Sequence, residues 1–380
     1  MIYIDNNATT KVADEVIQEM LPFLGELYGN PSSTYGFAKQ VDKKIKQARQ
    51  RVADLINAEP KEIIFTSCGT ESDNTAIYSA IKAFPEKKHI ITSSVEHPAI
   101  SKVCTYLEKT KGYEITFVPV NKKGLLDLDL LYSSISNNTA LISLMWANNE
   151  TGVLFPIKEI AEKAREKGIL FHTDAVQAAG KVAIDVKKVS IDMLSISGHK
   201  FHAPKGVGAL YVKKGFKISS LLIGGSQENG QRGGTENTAS IIGLGKACEI
   251  ARKELPIMNN KVRKLRDYLE SQLLEKISGS SVNGDLDKRL SNTLSIGFDG
   301  VRAESILSLL DKKKICASSG SACTSECVKI SHVLMAMKTP FKSGAGTIRF
   351  SLSRYNTKKE IDYIITTMIA VIQKLRKKEY

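Results

Sequence analysis

The sequence predicts an α/β fold, with a large unit around a mainly parallel central sheet and a smaller α+β unit at the C-terminal end. Three observations carry this reading. Short, almost continuously apolar runs recur between helical patterns over the first two thirds of the chain, as expected of strands buried on both faces of a sheet. The alternation breaks near Glu254-Leu255-Pro256, and a long amphipathic helix, two strand-like pieces and a closing helix follow. The length, 380 residues with 25% charged and 42% hydrophobic, suits one large or two ordinary domains with a substantial core.

In chain order, the strand candidates of the large unit are 63–66, 89–92, 115–118, 141–144, 169–172, 193–196 and 209–212. Each is short and rich in Ile, Leu, Val or Phe. Helical patterns separate them, for example 157–167, which Gly168 is placed to end. Beyond the break, Val262, Leu265, Leu269 and Leu273 mark one face of a helix. Residues 292–297 and 347–352 read as strands, and Ile361, Ile364, Ile365, Met368, Val371, Ile372 and Leu375 form the apolar stripe of the last helix. We expect residues 16–255 to form the large unit, and residues 1–15 with 256–380 the smaller one.

No apolar run approaches a membrane span, and the first residues show no basic region followed by an apolar stretch, so neither a membrane location nor a signal peptide is expected. The six cysteines are mostly scattered singly, without a disulfide framework, which points to the cytoplasm. The net charge of +14 allows an acidic or nucleic-acid partner. The Lys clusters at 312–314 and 374–378 lack an accompanying RNA-binding motif, so they read as solvated surface and no nucleic-acid partner is expected.

Ligands in open α/β sheets sit beyond the carboxyl ends of the strands, and four polar constellations fall at such ends. In Thr66-Ser67-Cys68-Gly69-Thr70-Glu71-Ser72-Asp73-Asn74, a strand enters a small-residue turn and a helix opened by Gly69 and Thr70, with Thr70 and Asp73 spaced as a capping box. Free amides there suit a phosphate, though the run is no Walker sequence. Asp174 directly follows an apolar strand and needs a cation or donor beside it. Lys200, in Ser197-Gly198-His199-Lys200, ends a buried strand, where a lysine can form a Schiff base with a carbonyl. His97 lies past a fourth strand end as an acid, a base or a stacking partner. His199 and His202 lack the further ligands a metal site needs, so no metal is expected. A phosphate cradle, a carboxylate, a lysine and an imidazole are together what pyridoxal 5'-phosphate requires. Separately, Ser318-Ser319-Gly320-Ser321-Ala322-Cys323-Thr324-Ser325 sets a thiol among very small side chains, where composition favours exposure and many backbone conformations.

These motifs resemble those of the NifS/IscS-type cysteine desulfurases, group I of the class V aminotransferase superfamily with the fold-type I (aspartate aminotransferase-like) architecture. The resemblance spans essentially the whole chain, from Ile4-Asp5-Asn6-Asn7-Ala8-Thr9-Thr10 to the last helix. It also rests on Glu96-His97, Asn148-Asn149-Glu150, Thr173-Asp174-Ala175-Val176-Gln177, Arg232-Gly233-Gly234-Thr235 and the Cys323 run. It implies that Lys200 binds the cofactor aldehyde and later moves protons. Asp174 would keep the pyridinium protonated, Gln177 would bond the phenolic oxygen, and His97 would stack on the ring and act as an acid or base. Gly69, Thr70, Ser197 and His199 would hold the phosphate, with Thr235 reaching in from a second subunit of a homodimer. Asn149 and Arg349 would hold the carboxylate of L-cysteine. Cys323 would take the sulfur as a persulfide for an acceptor, such as an iron–sulfur scaffold or a tRNA-thiolation or cofactor-biosynthesis protein. A selenocysteine lyase, another class V aminotransferase or a sulfur-delivery scaffold with vestigial catalysis are the alternative readings. The chain departs from the family pattern at Gly233 (serine expected), at Ala203 and Cys68 (glycine expected), and at Cys327, an additional thiol that is a bystander, a persulfide relay, a disulfide partner or a metal ligand.

Overall fold

The structure, a computed structural model, describes residues 1–320 and 330–377. Cys323 and Cys327 lie outside the described residues.

The strands, in order, are β1 Ile2–Tyr3, β2 Ile63–Thr66, β3 His89–Ser93, β4 Glu114–Val118, β5 Thr139–Met145, β6 Leu170–Asp174, β7 Met193–Ser197, β8 Gly208–Val212, β9 Ser280–Val282, β10 Thr293–Phe298, β11 Ile315–Cys316 and β12 Ile348–Ser351. All seven predicted strands of the large sheet form. Their order is β2-β8-β7-β6-β5-β3-β4, parallel except that β8 runs antiparallel to both β2 and β7.

Successive side chains enter opposite cores, which explains why the runs read as continuously apolar. Ile63, Phe65, Ile91, Ile142, Leu144, Leu194 and Ile196 join one buried cluster, with Val41, Ile45 and Val52 of the helix Gly36–Ile56 and Ile241 and Leu244 of the helix Thr238–Ile257. Ile64, Ile90, Leu141, Met193 and Leu210 join another, under the helices Gly69–Ala83 and Pro98–Lys111. The helices Gly36–Ile56 and Thr238–Ile257 approach closely at Gly245, where an added Cβ would lie 2.5 Å from the Cα of Ala48.

A third apolar cluster lies around the antiparallel sheet β12-β10-β9 and takes in Ile4, Leu269, Leu273, Ile306 and Leu310, with Ile361, Ile364 and Ile365 of the helix Lys358–Arg376. Pro256 does not end the preceding helix. It sits inside Thr238–Ile257, which continues through a π turn, Met258–Val262, into the helix Arg263–Lys276. Proline offers no N–H to the carbonyl one turn back, and the ladder re-forms in the wider register just beyond it. No described helix is long and apolar enough to cross a membrane.

Candidate active site

The carboxyl ends of β2, β5, β6 and β7 open on a cavity of about 390 Å³. Gly69, Thr70, His97, Asn149, Asp174, Gln177, Ser197, His199, Lys200 and Arg349 all line it. Of the expected site residues among the described ones, only Thr235 lies elsewhere, exposed in a separate depression beside Phe65 and Arg232.

Lys200 ends a 3-10 turn, Gly198–Lys200, directly after β7. Its Nζ donates to the carbonyls of Asn7 and Ala8, at 2.8 Å each. Burial, then the Arg349 guanidinium, lowers its ammonium to about 8, against the opposing pull of Asp174 and Asp5. A lysine so poised loses its proton more readily than one in water.

Asp174 is the last residue of β6, and its Oδ1 accepts from the Val176 amide at 2.8 Å. Burial raises its carboxyl to about 6, partly offset by the backbone bond and by Lys200. A cationic ring nitrogen placed against it would restore its charge.

Behind it lies a second carboxylate, Asp73. The predicted Thr70–Asp73 capping box does not form: the helix opens with Cys68 as an N-cap that makes no side-chain bond, and Asp73 lies inside the helix, 1% exposed. Its carboxyl is pushed well above the usual range by burial and then by Asp174. His172 Nε2 is 3.6 Å from Asp73 Oδ1. Burial lowers that imidazole to about 3, so the two do not form an ion pair. The ring instead spans Ser143 and Ser195, at 2.9 and 3.0 Å.

His97 is the N-cap of Pro98–Lys111, with Nδ1 accepting from the Ala99 amide at 3.1 Å. Burial, then Lys200 and His332, lowers its pKa, so the ring is neutral near pH 7 and its proton resides on Nε2. Glu96 beside it is wholly buried. Its Oε1 accepts from Ser93 Oγ at 2.6 Å and from the Met145 amide at 3.0 Å, and burial pushes it up to about 8.

Because no side chain caps the helix Gly69–Ala83, its first amides remain available to an anion. Gly69 is required there, since a Cβ would meet Val176 Cγ2 at 2.7 Å. Cys68 is compatible with its position because its backbone is extended, φ −174°. Ala203 packs fully buried next to Gly198. Gly233 has its own cause: a Cβ there would lie 2.7 Å from Gly224 Cα, because the Gly233 amide is bonded to the Leu222 carbonyl.

Arg349 shows the alternation its strand predicts. Ile348 and Phe350 enter the core, while Arg349 faces the cavity. It donates to Asp5 Oδ1 at 2.8 Å and to the Asn149 carbonyl at 3.1 Å, and its buried Nε has no partner among the described residues.

Sequence reasoning assigned no role to Asp5, Asn7 or Ala8, although the run 4–10 drew attention. Asn7 holds Lys200 and Gln177 through its carbonyl and bonds Thr293 and Asn149 through its amide. Asp73 was seen only as a helix cap. Nothing local in the sequence marks these contacts, which join residues far apart in the chain.

A family profile described as Aminotransferase class-V matches residues 2–364. A cysteine desulfurase from Nostoc sp. is 53% identical over 376 residues, covering 99% of this chain and 94% of that protein. The cysteine desulfurase NifS of Azotobacter vinelandii is 54% identical, covering 99% and 93%. Among solved structures, a NifS-like protein superposes with a TM-score of 0.93 at 38% identity, covering 98% of this chain and all of that one. SspA in complex with cysteine superposes with a TM-score of 0.82 at 36% identity, covering 94% of this chain and all of that one.

Proposed function

The chain belongs to the class-V aminotransferase family, and from that premise we propose that it is a pyridoxal 5'-phosphate-dependent cysteine desulfurase, converting L-cysteine to L-alanine and holding the sulfur on Cys323. The observation that carries the reading is the single cavity into which Lys200, Asp174, His97, the uncapped helix end at Gly69 and Arg349 all converge.

The residues fit the cofactor by their chemistry. The free amides at Gly69 and Thr70, with Ser197 and His199, would hold the phosphate. Asp174 would pair with the ring nitrogen, His97 would stack on the ring, and Gln177 would bond the phenolic oxygen. Thr235 would complete the phosphate site from the second subunit of a homodimer. Once bound, the cofactor supplies an electron sink for the pair left when the substrate loses its α proton.

The chain supplies the rest. Arg349 and Asn149 bind the substrate carboxylate, and the unpartnered Arg349 Nε is the donor it would meet. Lys200 Nζ, its pKa lowered by burial, takes up and returns the α proton. His97 Nε2, neutral at pH 7, is placed to exchange a proton with the substrate thiol or its leaving fragment. The Cys323 thiolate attacks the substrate sulfur. The new S–S bond forms as the C–S bond breaks, and the electron pair of that bond stays with the three-carbon fragment, which is protonated to alanine. We read residues 16–255 as the cofactor-binding unit, and residues 1–15 with 256–380 as the smaller unit bearing Cys323. A cytoplasmic protein that passes sulfur to an acceptor such as an iron–sulfur scaffold fits this chemistry.

The test incubates purified protein with L-cysteine and a reductant. Wild type is expected to form alanine and sulfide in equal amounts. Cys323→Ala is expected to lose both while retaining the cofactor's visible band. Wild type that forms no alanine, or a fully active Cys323→Ala, would overturn the reading.

A further inference from the structure

Lys181 is a buried cation that the mechanism above does not use. It is 4% exposed, and both charges that act on it, Lys200 and Arg349, are positive. A buried ammonium without a counter-charge is destabilising, so its retention calls for a reason. Among the described residues its Nζ makes two hydrogen bonds, both to one residue: it donates to the Gln177 carbonyl at 3.1 Å and to Gln177 Oε1 at 3.0 Å.

Gln177 is 5% exposed and lines the cavity, and its Nε2 donates to the Asn7 carbonyl at 2.9 Å. That same carbonyl receives Lys200 Nζ. Burial, then Lys200 and Arg349, lowers the Lys181 pKa to about 7. In its ammonium form Lys181 has three donors and no acceptor, so only the oxygen of the Gln177 amide can face that form. Reversing the amide would set N–H groups against the ammonium and an oxygen against the Asn7 carbonyl. Two unfavourable contacts therefore hold the amide one way round, with one N–H on Asn7 and the second left to donate.

We propose that Lys181 is a positioning residue that fixes the Gln177 carboxamide so that it presents an N–H, never its oxygen, to the phenolic oxygen of bound pyridoxal phosphate. This rests on the functional reading above. It gives a reason for the lysine's burial, because a neutral apolar residue of similar length would leave only the Asn7 carbonyl to hold the amide.

The experiment compares wild type, Lys181→Met, Lys181→Gln and Gln177→Ala. It measures the apparent pKa of the cofactor's visible band in the holoenzymes and the affinity of the apoproteins for pyridoxal phosphate by fluorescence titration. Losing one hydrogen bond to a charged oxygen is expected in Lys181→Met, which raises the band pKa by about one unit and weakens affinity about tenfold. Lys181→Gln removes the charge and offers an acceptor beside its donor, so its band pKa is expected to lie between those of wild type and Lys181→Met. In a Gln177→Ala background, Lys181→Met is expected to add nothing. Equal shifts in Lys181→Met and Lys181→Gln, or an undiminished shift in the Gln177→Ala background, would overturn the proposal. If Lys181→Met fails to fold, Lys181→Leu serves instead. It also removes the donor that faces Gln177 Oε1, so it is expected to raise the band pKa in the same way, and an unchanged band would contradict the proposal. A wild-type apoprotein that binds no pyridoxal phosphate would remove the functional reading itself and this inference with it, whereas a bound cofactor with an insensitive band removes the inference alone.

Discussion

Arg349 combines a structural contact and a proposed substrate contact in one side chain. Two of its nitrogens are bonded to Asp5 and to the Asn149 carbonyl, which fixes the plane of the fork and leaves Nε as the buried donor without a partner. A lysine cannot reproduce that fork. Arg349→Lys is expected to raise KM for L-cysteine by roughly 10- to 100-fold with unchanged cofactor affinity, and an unchanged KM would remove Arg349 from the substrate site. Glu96 allows a pH test. Its folded pKa is raised to about 8 by burial, so its contribution to stability is present below the unfolded value and is lost as pH rises through about 8. Glu96→Gln, neutral at every pH, is expected to gain stability over wild type between pH 5 and pH 9 by on the order of 2–4 kcal/mol. Parallel denaturant curves at the two pH values measure this, and a pH-independent difference would mean that Glu96 is ionised in the fold. At this scale the sequence revealed the residues with a distinctive address, such as Lys200, Asp174 and His97 at strand ends. It did not reveal Asn7, Asp73 or the Lys181–Gln177 pair as parts of the site, because their roles depend on contacts that no local pattern encodes.

The strands were legible as elements because burial on both faces leaves a short apolar run with no polar interruption, as in β5, Thr139–Met145, where every residue is buried. Helix ends were less legible. The capping-box spacing at Thr70 and Asp73 misled because Asp73 serves the buried network behind Asp174 and not the helix end. Pro256 does not stop its helix, because a proline can be absorbed by a π turn where tertiary packing holds the helix on both sides. Gly245 shows packing overriding propensity. Alanine in a helix is ordinarily about 1 kcal/mol better than glycine. Here its Cβ would meet the Ala48 backbone at 2.5 Å, so Gly245→Ala is expected to cost about 1–3 kcal/mol. Gly36→Ala, with open space around it, is the control and is expected to be neutral or stabilising. Thermal melts of both measure this, and a stabilised Gly245→Ala would show that the two helices can move apart.

For the whole molecule, the first ten residues tie the cavity around Lys200 to the small antiparallel sheet. Ile4 enters the core of that sheet, Asn6 bonds Ser351, Asn7 bonds Thr293, and Thr10 bonds the His199 carbonyl. Lys200 is therefore held by a segment also anchored beside Arg349, so the N-terminal residues and β12 meet at the cavity. That closure spans the full sequence and is invisible to any local reading, although the break in pattern near residue 255 was visible. The proposed homodimer also belongs to this scale. If Thr235 serves the neighbouring site, then mixing Lys200→Ala with Thr235→Ala subunits at limiting cofactor rebuilds one complete site in each mixed dimer, and roughly a quarter of wild-type activity is expected from subunits that are separately deficient. No recovery after verified subunit exchange would place Thr235 outside the site. The central claim, that sulfur leaves cysteine as a persulfide on this chain, is tested most directly by adding one equivalent of L-cysteine to the holoenzyme and mapping bound sulfur by peptide mass spectrometry. The account predicts one added sulfur on the peptide containing Cys323, formed with an equal amount of alanine and absent in Lys200→Ala. Alanine formed with no sulfur on Cys323, or an added sulfur that survives in Lys200→Ala, would contradict it.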